Sequence, residues 1–360
     1  MIAEALKAYS GRRVFVTGHT GFKGAWLCSW LDHLGASITG YALPAESRSL
    51  FNQARVADQI QSLEGDIRDL DRLKAALADA KPEIVFHMAA QSLVRPSYDE
   101  PVETFAINAM GTVHLLEAVR NVPSVKAAVI VTSDKCYEND CRAEPFAETA
   151  AMGGHDPYSA SKGCAELVTA AYVRSFFAHS GCAIASARAG NVIGGGDWAV
   201  DRIVPDLARA AESGQAAIVR RPSAIRPWQH VLEPLGGYLL LGHRAATEGQ
   251  KFSGAWNFGP PESEVVEVRD LVEQLQRHWP GLNVEYSTDE TGPHEAAVLR
   301  LDCTKAHDQL GWHPVLGLER TLRMTTEWYR KAATGSAADI TKRQIESYEQ
   351  MLVREEEPCP

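Results

Sequence analysis

The sequence predicts an α/β protein built on a doubly wound parallel sheet, with a smaller lobe in its C-terminal half. Three observations predict it. Short apolar runs alternate with longer periodic segments through the first half of the chain. Those runs are rich in β-branched residues and do not alternate apolar with polar, as strands buried on both faces require. A glycine cluster, Gly18 to Gly24, separates the first run from the first periodic segment. Right-handed crossovers then wind the strands into a Rossmann-type fold with ligands at their carboxyl ends.

Each element follows from its residues. Arg13-Val-Phe-Val-Thr17 is the first strand and Phe22 to Leu34 the helix after it. Ser37 to Ala42, around Ile38 and Tyr41, is the second strand. Leu63 to Ile67 is the third, and Leu70 to Ala80 a helix with leucines at turn spacing. Glu83 to Met88, with Ile-Val-Phe at its centre, is the fourth strand, and Val102 to Arg120 a long helix. Ala127 to Thr132 is the fifth strand, Tyr158 to Ala178 another long helix, and Ala183 to Ala187 the sixth strand.

After Asn191 the alternation breaks at Gly194-Gly-Gly196 and at Pro205, Pro222 and Pro227. The expected division gives residues 1–190 and 232–260 to the first lobe, and 191–231 and 261–350 to the second. Residues 351–360 are expected to form a frayed tail.

Composition narrows the function. The 360 residues hold 36 basic and 46 acidic side chains, a net charge of −10, with no basic block. That balance disfavours nucleic acid and anionic membrane as partners. Seven scattered cysteines form no C-x-x-C pair, so neither a metal site nor a disulfide framework is expected. No apolar run approaches the ~20 residues of a membrane span, and Met1 to Arg13 lacks a secretory core. A cytoplasmic enzyme is the expectation.

Gly18-His19-Thr20-Gly21-Phe22-Lys23-Gly24 follows a strand and opens a helix, where backbone N–H groups can approach a pyrophosphate. Asp66, with Ile67 at the end of the third strand, either accepts from an adenine amine or caps the next helix. Ala89, Ala90 and Gln91 after the fourth strand are small enough to admit a ribose. The acid usual after the second strand is missing, since Tyr41-Ala-Leu-Pro44 stands there. Arg48 and Arg55 downstream could meet a 2′-phosphate, so these residues leave NAD and NADP open.

Tyr158-Ser-Ala-Ser-Lys162 stacks a phenol and an ammonium on one helix face. For tyrosine to act as a base near neutrality, its pKa must fall from about 10 by roughly 3 pH units, about 4 kcal/mol. A neighbouring cation favours that change. Thr132, closing the fifth strand, offers a hydroxyl to share a substrate oxygen with Tyr158.

Gly18, Gly21, Gly24, Asp66, Thr132, Tyr158 and Lys162 together resemble the extended short-chain dehydrogenase/reductases that act on nucleotide sugars, over about Arg13 to Tyr329. Thr132-Ser133-Asp134-Lys135-Cys-Tyr137 is similar to the segment that carries a hydroxyl, an aspartate and a glutamate in the family's 4,6-dehydratases. Lys135 replaces the glutamate, as in the branch that uses cytidine-diphosphate sugars. Gly194-Gly-Gly-Asp-Trp198, Arg226-Pro-Trp-Gln-His230 and Pro293-His-Glu-Ala296 resemble that branch too. Leu310-Gly-Trp-His-Pro314 is shared more widely.

The resemblance implies a bound NAD that takes hydride from sugar carbon 4 and returns it to carbon 6, with water lost across carbons 5 and 6 between. Tyr158 and Lys162 serve the oxidation, and Asp134 protonates the leaving hydroxyl. Lys135 either removes the carbon 5 proton or, as a cation, steadies the enolate. Asn191 and Arg226 are implied as substrate contacts, and Arg202 suits a diphosphate. Ser92 and Trp228 are further candidates, each with an ordinary packing or capping alternative. His294-Glu295 could accept from a cytosine amino group.

A small nucleotide sugar is thus the expected partner, together with a second copy of the chain across a four-helix interface, as a dimer or tetramer. The apolar residues Val113, Leu116, Val119, Leu167, Tyr172 and Phe176 suggest that interface. An epimerase would not need Asp134 and Lys135. A non-catalytic dinucleotide sensor would not need the Tyr158–Lys162 pair.

Overall fold

The computed structural model describes residues 2–139, 144–261, 264–287 and 299–356. The first six strands are β1 (Arg13–Thr17), β2 (Ser37–Ala42), β3 (Gln61–Glu64), β4 (Ile84–His87), β5 (Ala127–Val131) and β6 (Ala183–Ala189). Then come β7 (Asn191–Ile193), β8 (Ala217–Val219), β9 (Ile225–His230), β10 (Gly254–Phe258), β11 (Val265–Glu267) and β12 (Val284–Tyr286). Seven of them form one sheet in the order β10-β6-β5-β4-β1-β2-β3, all parallel. The chain leaves β1 in one direction for β2 and β3, then returns to the other side for β4. That reversal opens a crevice at the carboxyl ends of β1 and β4.

Residue alternation decides which face each side chain fills. Val14 and Val16 of β1, Ile84 and Phe86 of β4, and Val129 of β5 pack into one core. Phe15, Val85 and Ile130, one residue out of phase, pack into a second core with Leu73, Leu77, Leu116 and Val119. Both faces are therefore dry, which is why the strands read as unbroken apolar runs. Phe15 is 0% exposed, and Phe15→Ala would cost about 3–5 kcal/mol.

The smaller sheets are β11-β9-β7 and β12-β8, accompanied by helices Ile203–Ser213, Val268–His278 and Leu318–Ala332. Helix Leu232–Glu248 packs on β4, β5 and β6 of the main sheet. Among the described residues, no helix is long and apolar enough to cross a membrane.

Several elements depart from expectation. The third strand ends at Glu64, so Asp66 and Ile67 lie beyond it. The helix expected over 102–120 is split into Pro101–Phe105 and Gly111–Val119 by a wide turn at Ala106–Met110. The wider turn coincides with the inward side chain of Asn108, which donates to the Gln91 carbonyl (2.9 Å) and to Ser161 Oγ (2.8 Å). The later helix runs Pro157–Tyr172 and continues through a similar wide turn, Val173–Phe177. Residues 351–356 belong to helix Ala337–Glu356 rather than to a frayed end. That helix is held by Tyr348, which donates to Glu233 Oε2 (2.8 Å), and by Trp30, which donates to Glu349 Oε1 (2.7 Å).

Candidate active site

A cavity of about 630 Å³ opens at the β1–β4 crevice and runs between the sheet and the smaller lobe. It is large enough for a cofactor or a substrate of nucleotide size. One arm is lined by Gly18, Thr20, Gly21, Phe22, Lys23 and Gly24. Gly18 has φ of +73°, and a Cβ there would lie 2.6 Å from the Ala89 nitrogen. At Gly24 a Cβ would meet the Gly18 carbonyl oxygen at 2.1 Å. Only glycine fits either position, and the chain stays bare where a diphosphate would approach the helix N-terminus.

His19 does not face this arm. It is 0% exposed, with Nε2 2.7 Å from Ser62 Oγ and its ring lodged where Gly40 lacks a side chain. Burial holds its pKa down to about 4. A side chain expected at the cofactor instead pins the loop to β2. Lys23 does line the cavity, with its ammonium 5.8 Å from the Tyr238 ring centre. Burial, with help from the Arg202 and Lys162 charges, lowers its pKa to about 7.

Asp66, Ile67, Ala89, Ala90 and Gln91 also line the cavity. Asp66 accepts from its neighbour Arg68 at both backbone N (2.9 Å) and Nε (3.0 Å). It does not cap the following helix, whose first turn is capped by Asp69 (3.0 Å to Arg72 N). The Gln91 amide is turned onto its own loop, donating to Thr104 Oγ1 (3.0 Å) and to the Leu93 carbonyl (3.0 Å). Arg48 stacks 3.5 Å from the Trp198 ring centre and pairs with Glu212. Arg55 pairs with Asp58. Neither arginine lines the cavity, so the 2′-phosphate reading loses its residues. The bare glycine turn, the small Ala89–Ala90 step and the Tyr158–Lys162 pair suit NAD.

The reacting end lies under helix Pro157–Tyr172. Asp156 caps that helix, accepting from Ser159 N at 2.9 Å, and Pro157 takes its first position. Tyr158 and Lys162 thereby project into the cavity beside Ser133, Asp134 and Lys135. The Ser133 hydroxyl lies beside the Tyr158 phenol and favours its ionised form, and it donates to Asp134 Oδ1 at 2.9 Å. Thr132 lines the same wall, but its hydroxyl donates to the buried carboxylate of Glu166. The hydroxyl beside Tyr158 is therefore that of Ser133, one residue later than expected.

Electrostatics departs from expectation as well. Burial pushes the Tyr158 phenol up to about 12, opposed by the nearby Ser133 hydroxyl and by Arg202. Lys162, 5% exposed, is brought down to about 8 by burial, with Glu166 pulling the other way. Asp134 is buried and its pKa is raised, although Lys135, Ser133, Arg226 and Lys23 all favour its charged form. A carboxyl that tends to keep its proton is suited to donate one.

The other arm holds Ser92, Asn191, Arg202, Arg226 and Trp228. Arg202 donates to Asp197 Oδ2 (2.9 Å) and to Ser92 Oγ (3.0 Å), bridging the end of β4 to the smaller lobe. Asn191 and Trp228 are register partners across β7 and β9. Trp228 is 6% exposed, and its indole N–H has no hydrogen-bond acceptor among the described residues. His294 and Glu295 lie outside the described residues. Within the described residues, no group of three or more potential metal ligands gathers.

Sequence reasoning passed over two residues. Asn108 fixes the Gln91 loop to the catalytic helix, and its signal was one amide within the apolar stretch Ala106-Ile-Asn-Ala-Met110. Glu166 lies one turn beyond Lys162, and its signal was that i,i+4 opposite charge.

A parallel sheet in this order, a glycine turn and a tyrosine–lysine pair beside a serine define an extended short-chain dehydrogenase/reductase. The chain belongs to the GDP-mannose 4,6 dehydratase family, whose model matches residues 15–325. It is 52% identical over 348 residues to the CDP-glucose 4,6-dehydratase of Salmonella typhimurium, covering 94% of this chain and 97% of that one. Among solved structures, the UDP-glucose 4-epimerase of Stenotrophomonas maltophila with bound NAD and formylated UDP-arabinopyranose superposes with a TM-score of 0.79. It is 22% identical and covers 89% of this chain and 99% of its own. The dTDP-glucose 4,6-dehydratase of Bacillus anthracis in complex with NAD gives 0.73 at 22% identity, covering 88% and 96%. At such identities the structures establish a shared fold.

Proposed function

We propose that this protein is a lyase that converts CDP-D-glucose to CDP-4-dehydro-6-deoxy-D-glucose and water. The observation that carries the reading is the placement of Asp134 and Lys135 beside Ser133 and Tyr158 on one cavity wall. The 52% identity to a CDP-glucose 4,6-dehydratase supports it. An epimerase needs the phenol, the hydroxyl and Lys162, but has no leaving group to protonate.

NAD, held along the glycine arm, would supply a hydride acceptor and donor and a positive ring near Tyr158. Gly18 to Gly24 would leave backbone N–H groups free for its diphosphate, with Asp66, Ile67 and Ala89 to Gln91 along the rest of that arm. Tyr158 takes the proton of the carbon 4 hydroxyl, helped by Lys162 and by the neighbouring Ser133 hydroxyl. The carbon 4 carbonyl that results acidifies carbon 5. Lys135 removes the carbon 5 proton, and the electron pair shifts to expel the carbon 6 hydroxyl. Asp134 donates its proton to that hydroxyl, which leaves as water. Carbon 6 then takes up the hydride that the cofactor would supply, while Lys135 returns its proton to carbon 5. The proton taken by Tyr158 is passed on to restore Asp134. Arg226 and Arg202 offer guanidinium groups to the substrate diphosphate, Asn191 and Ser92 lie toward the sugar, and the Trp228 N–H has an acceptor to find.

The working unit in this reading is a homodimer. Val102 (83% exposed), Leu167 (59%), Met110 (49%) and Phe176 (49%) form the apolar surface of the two long helical segments. Leu116 and Val119, expected at that surface, lie in the core instead. The five described cysteines are free, which suits a reducing cytoplasm.

Parallel incubations with CDP-, dTDP-, UDP- and GDP-hexoses test the assignment by scoring 4-keto-6-deoxy product. Turnover of CDP-glucose above the others is expected. Turnover of a non-cytidine donor alone would remove the substrate while leaving the reaction class.

A further inference from the structure

Glu166 stands one helical turn beyond Lys162, outside the cavity lining, and is 4% exposed. Its Oε1 accepts the Thr132 hydroxyl. Its Oε2 accepts from Ser186 Oγ (2.7 Å) and from Arg188 Nη2 (2.6 Å). Arg188, also 4% exposed, donates through Nη1 to the Tyr137 hydroxyl at 2.6 Å. Tyr137 in turn donates to Asn257 Oδ1 at 2.7 Å. The carboxylate is thus locked at both oxygens by Thr132, just after β5, and by Ser186 and Arg188 of β6, and through Arg188 and Tyr137 it is tied to Asn257 of β10.

Such an assembly is a poor investment for stability alone. A buried ion pair commonly does no better than well-packed apolar residues, because desolvation cancels the attraction. Its position points to another use. Residues four apart on a helix share a face, so Glu166 lies on the Lys162 side of helix Pro157–Tyr172, with no direct ion pair between them, and its charge favours the Lys162 ammonium. Lys162 otherwise donates to the Val131 carbonyl at a long 3.4 Å.

We propose that Glu166 is a positioning residue of the reaction, the fixed negative charge that keeps Lys162 an ammonium in a buried site and so keeps Tyr158 able to accept a proton. The role in turnover rests on the reaction proposed above. The charge relationship stands on the shared helix face and on the fixed position of the carboxylate. Arg188 holds the Glu166 carboxylate at a fixed angle, with its guanidinium on the oxygen shared with Ser186.

The groups that face this pair come from every neighbouring element. Cys136, from the turn Asp134–Cys136, acts on both Lys162 and Glu166. Lys23 from helix Phe22–His33 and His87 from β4 face Lys162. His87 is kept neutral, its pKa lowered to about 3 by burial and by Lys162. Cys136 is kept as a thiol, since burial and Glu166 both raise it. Lys23 adds repulsion whenever it is protonated. Among the described residues, Glu166 is thus the carboxylate that favours the Lys162 ammonium, and burial acts against it.

The direct test follows Lys162 by NMR in holoenzyme carrying 13C-labelled lysine, with Lys162→Met to assign the signal. Glu166→Gln should move the Lys162 midpoint down by about one pH unit or more, and the alkaline limb of kcat/KM should move with it. Because Glu166→Gln leaves Arg188 without its counter-charge, the double variant Glu166→Gln, Arg188→Met is measured alongside. It should recover thermal stability and still show the lowered midpoint, whereas Glu166→Asp should restore most of it. An unmoved midpoint in the double variant, or an activity loss that follows stability and disappears with it, would overturn the role. Failure of the wild-type enzyme to turn over CDP-glucose would instead strike the proposed reaction and leave the titration readable.

Discussion

Ser133 stands beside Tyr158 at the wall of the cavity, where its hydroxyl favours the ionised phenol, and the same hydroxyl donates to Asp134 at 2.9 Å. One small side chain therefore neighbours both the candidate base of the oxidation and the candidate acid of the elimination. Thr132, its neighbour, faces the opposite way into the Glu166 network.

That opposition separates two mutants. Ser133→Ala should lower kcat about 10²–10³-fold, the usual loss for one polar group aimed at developing charge, with thermal stability little changed. Thr132→Val keeps the shape but removes a donor from a buried carboxylate, and should cost about 1–3 kcal/mol of stability. Calorimetric melting and initial rates on both proteins check it. Equal rate losses would assign the two hydroxyls the same role.

Asp134 and Lys135 should be separable from binding. Asp134→Asn and Lys135→Met are expected to reduce turnover about 10²–10⁴-fold, the span of a lost acid or base, while the affinity for CDP measured by calorimetry stays within a few-fold. In D2O the wild-type product should acquire deuterium at carbon 5, and the residual product of Lys135→Met should form far more slowly. Full-rate elimination by Lys135→Met would show that another group takes the proton.

Glu233 gives a stability prediction away from the site. Its Oε1 accepts from Val315 N (2.9 Å) and Leu316 N (2.6 Å), and its Oε2 accepts from Tyr348. Burial nevertheless raises its pKa from 4.5 to about 7. Between those values the folded state holds a proton that the unfolded chain releases. The contribution is present in full below pH 4.5 and is lost as pH rises through about 7. Glu233→Gln, which preserves the acceptor, should flatten this dependence and gain up to about 3 kcal/mol relative to wild type at pH 8. Urea unfolding at pH 5 and pH 8 measures it, and parallel wild-type and variant curves would contradict it.

The dimer proposal turns on surface residues. Leu167→Glu with Phe176→Glu should convert a dimer to a monomer in sedimentation velocity at micromolar concentration. A wild-type monomer under those conditions would refute the interface.

The parts of the protein governed by local pattern were readable from its residues. β1 carries the continuous apolar run Val14-Phe-Val16 closed by Gly18, and Tyr158-Ser-Ala-Ser-Lys162 needs only helical spacing to put phenol and ammonium on one face. What could not be read depends on distant partners. Thr132 and Ser133 are adjacent hydroxyls, and only β6, by presenting Ser186 and Arg188, decides that Thr132 turns inward to Glu166. His19 looked like a cofactor contact until Gly40, on another strand, left the notch that receives it. The wide turn at Ala106–Met110 accompanies the bonds of Asn108 to Gln91 and Ser161, residues 17 and 53 positions away. The tyrosine's pKa was expected to fall because only its cationic neighbours were visible. Burial, which a sequence does not show, dominates instead.

The most direct measurement follows one hydrogen atom. CDP-glucose carrying deuterium at carbon 4 is turned over in ordinary water, and the product is examined by mass spectrometry and NMR. Retention of the label in the carbon 6 methyl group is the predicted result, since oxidation and reduction occur within a single closed site. Loss of the label to solvent, or its persistence at carbon 4, would contradict the proposed reaction.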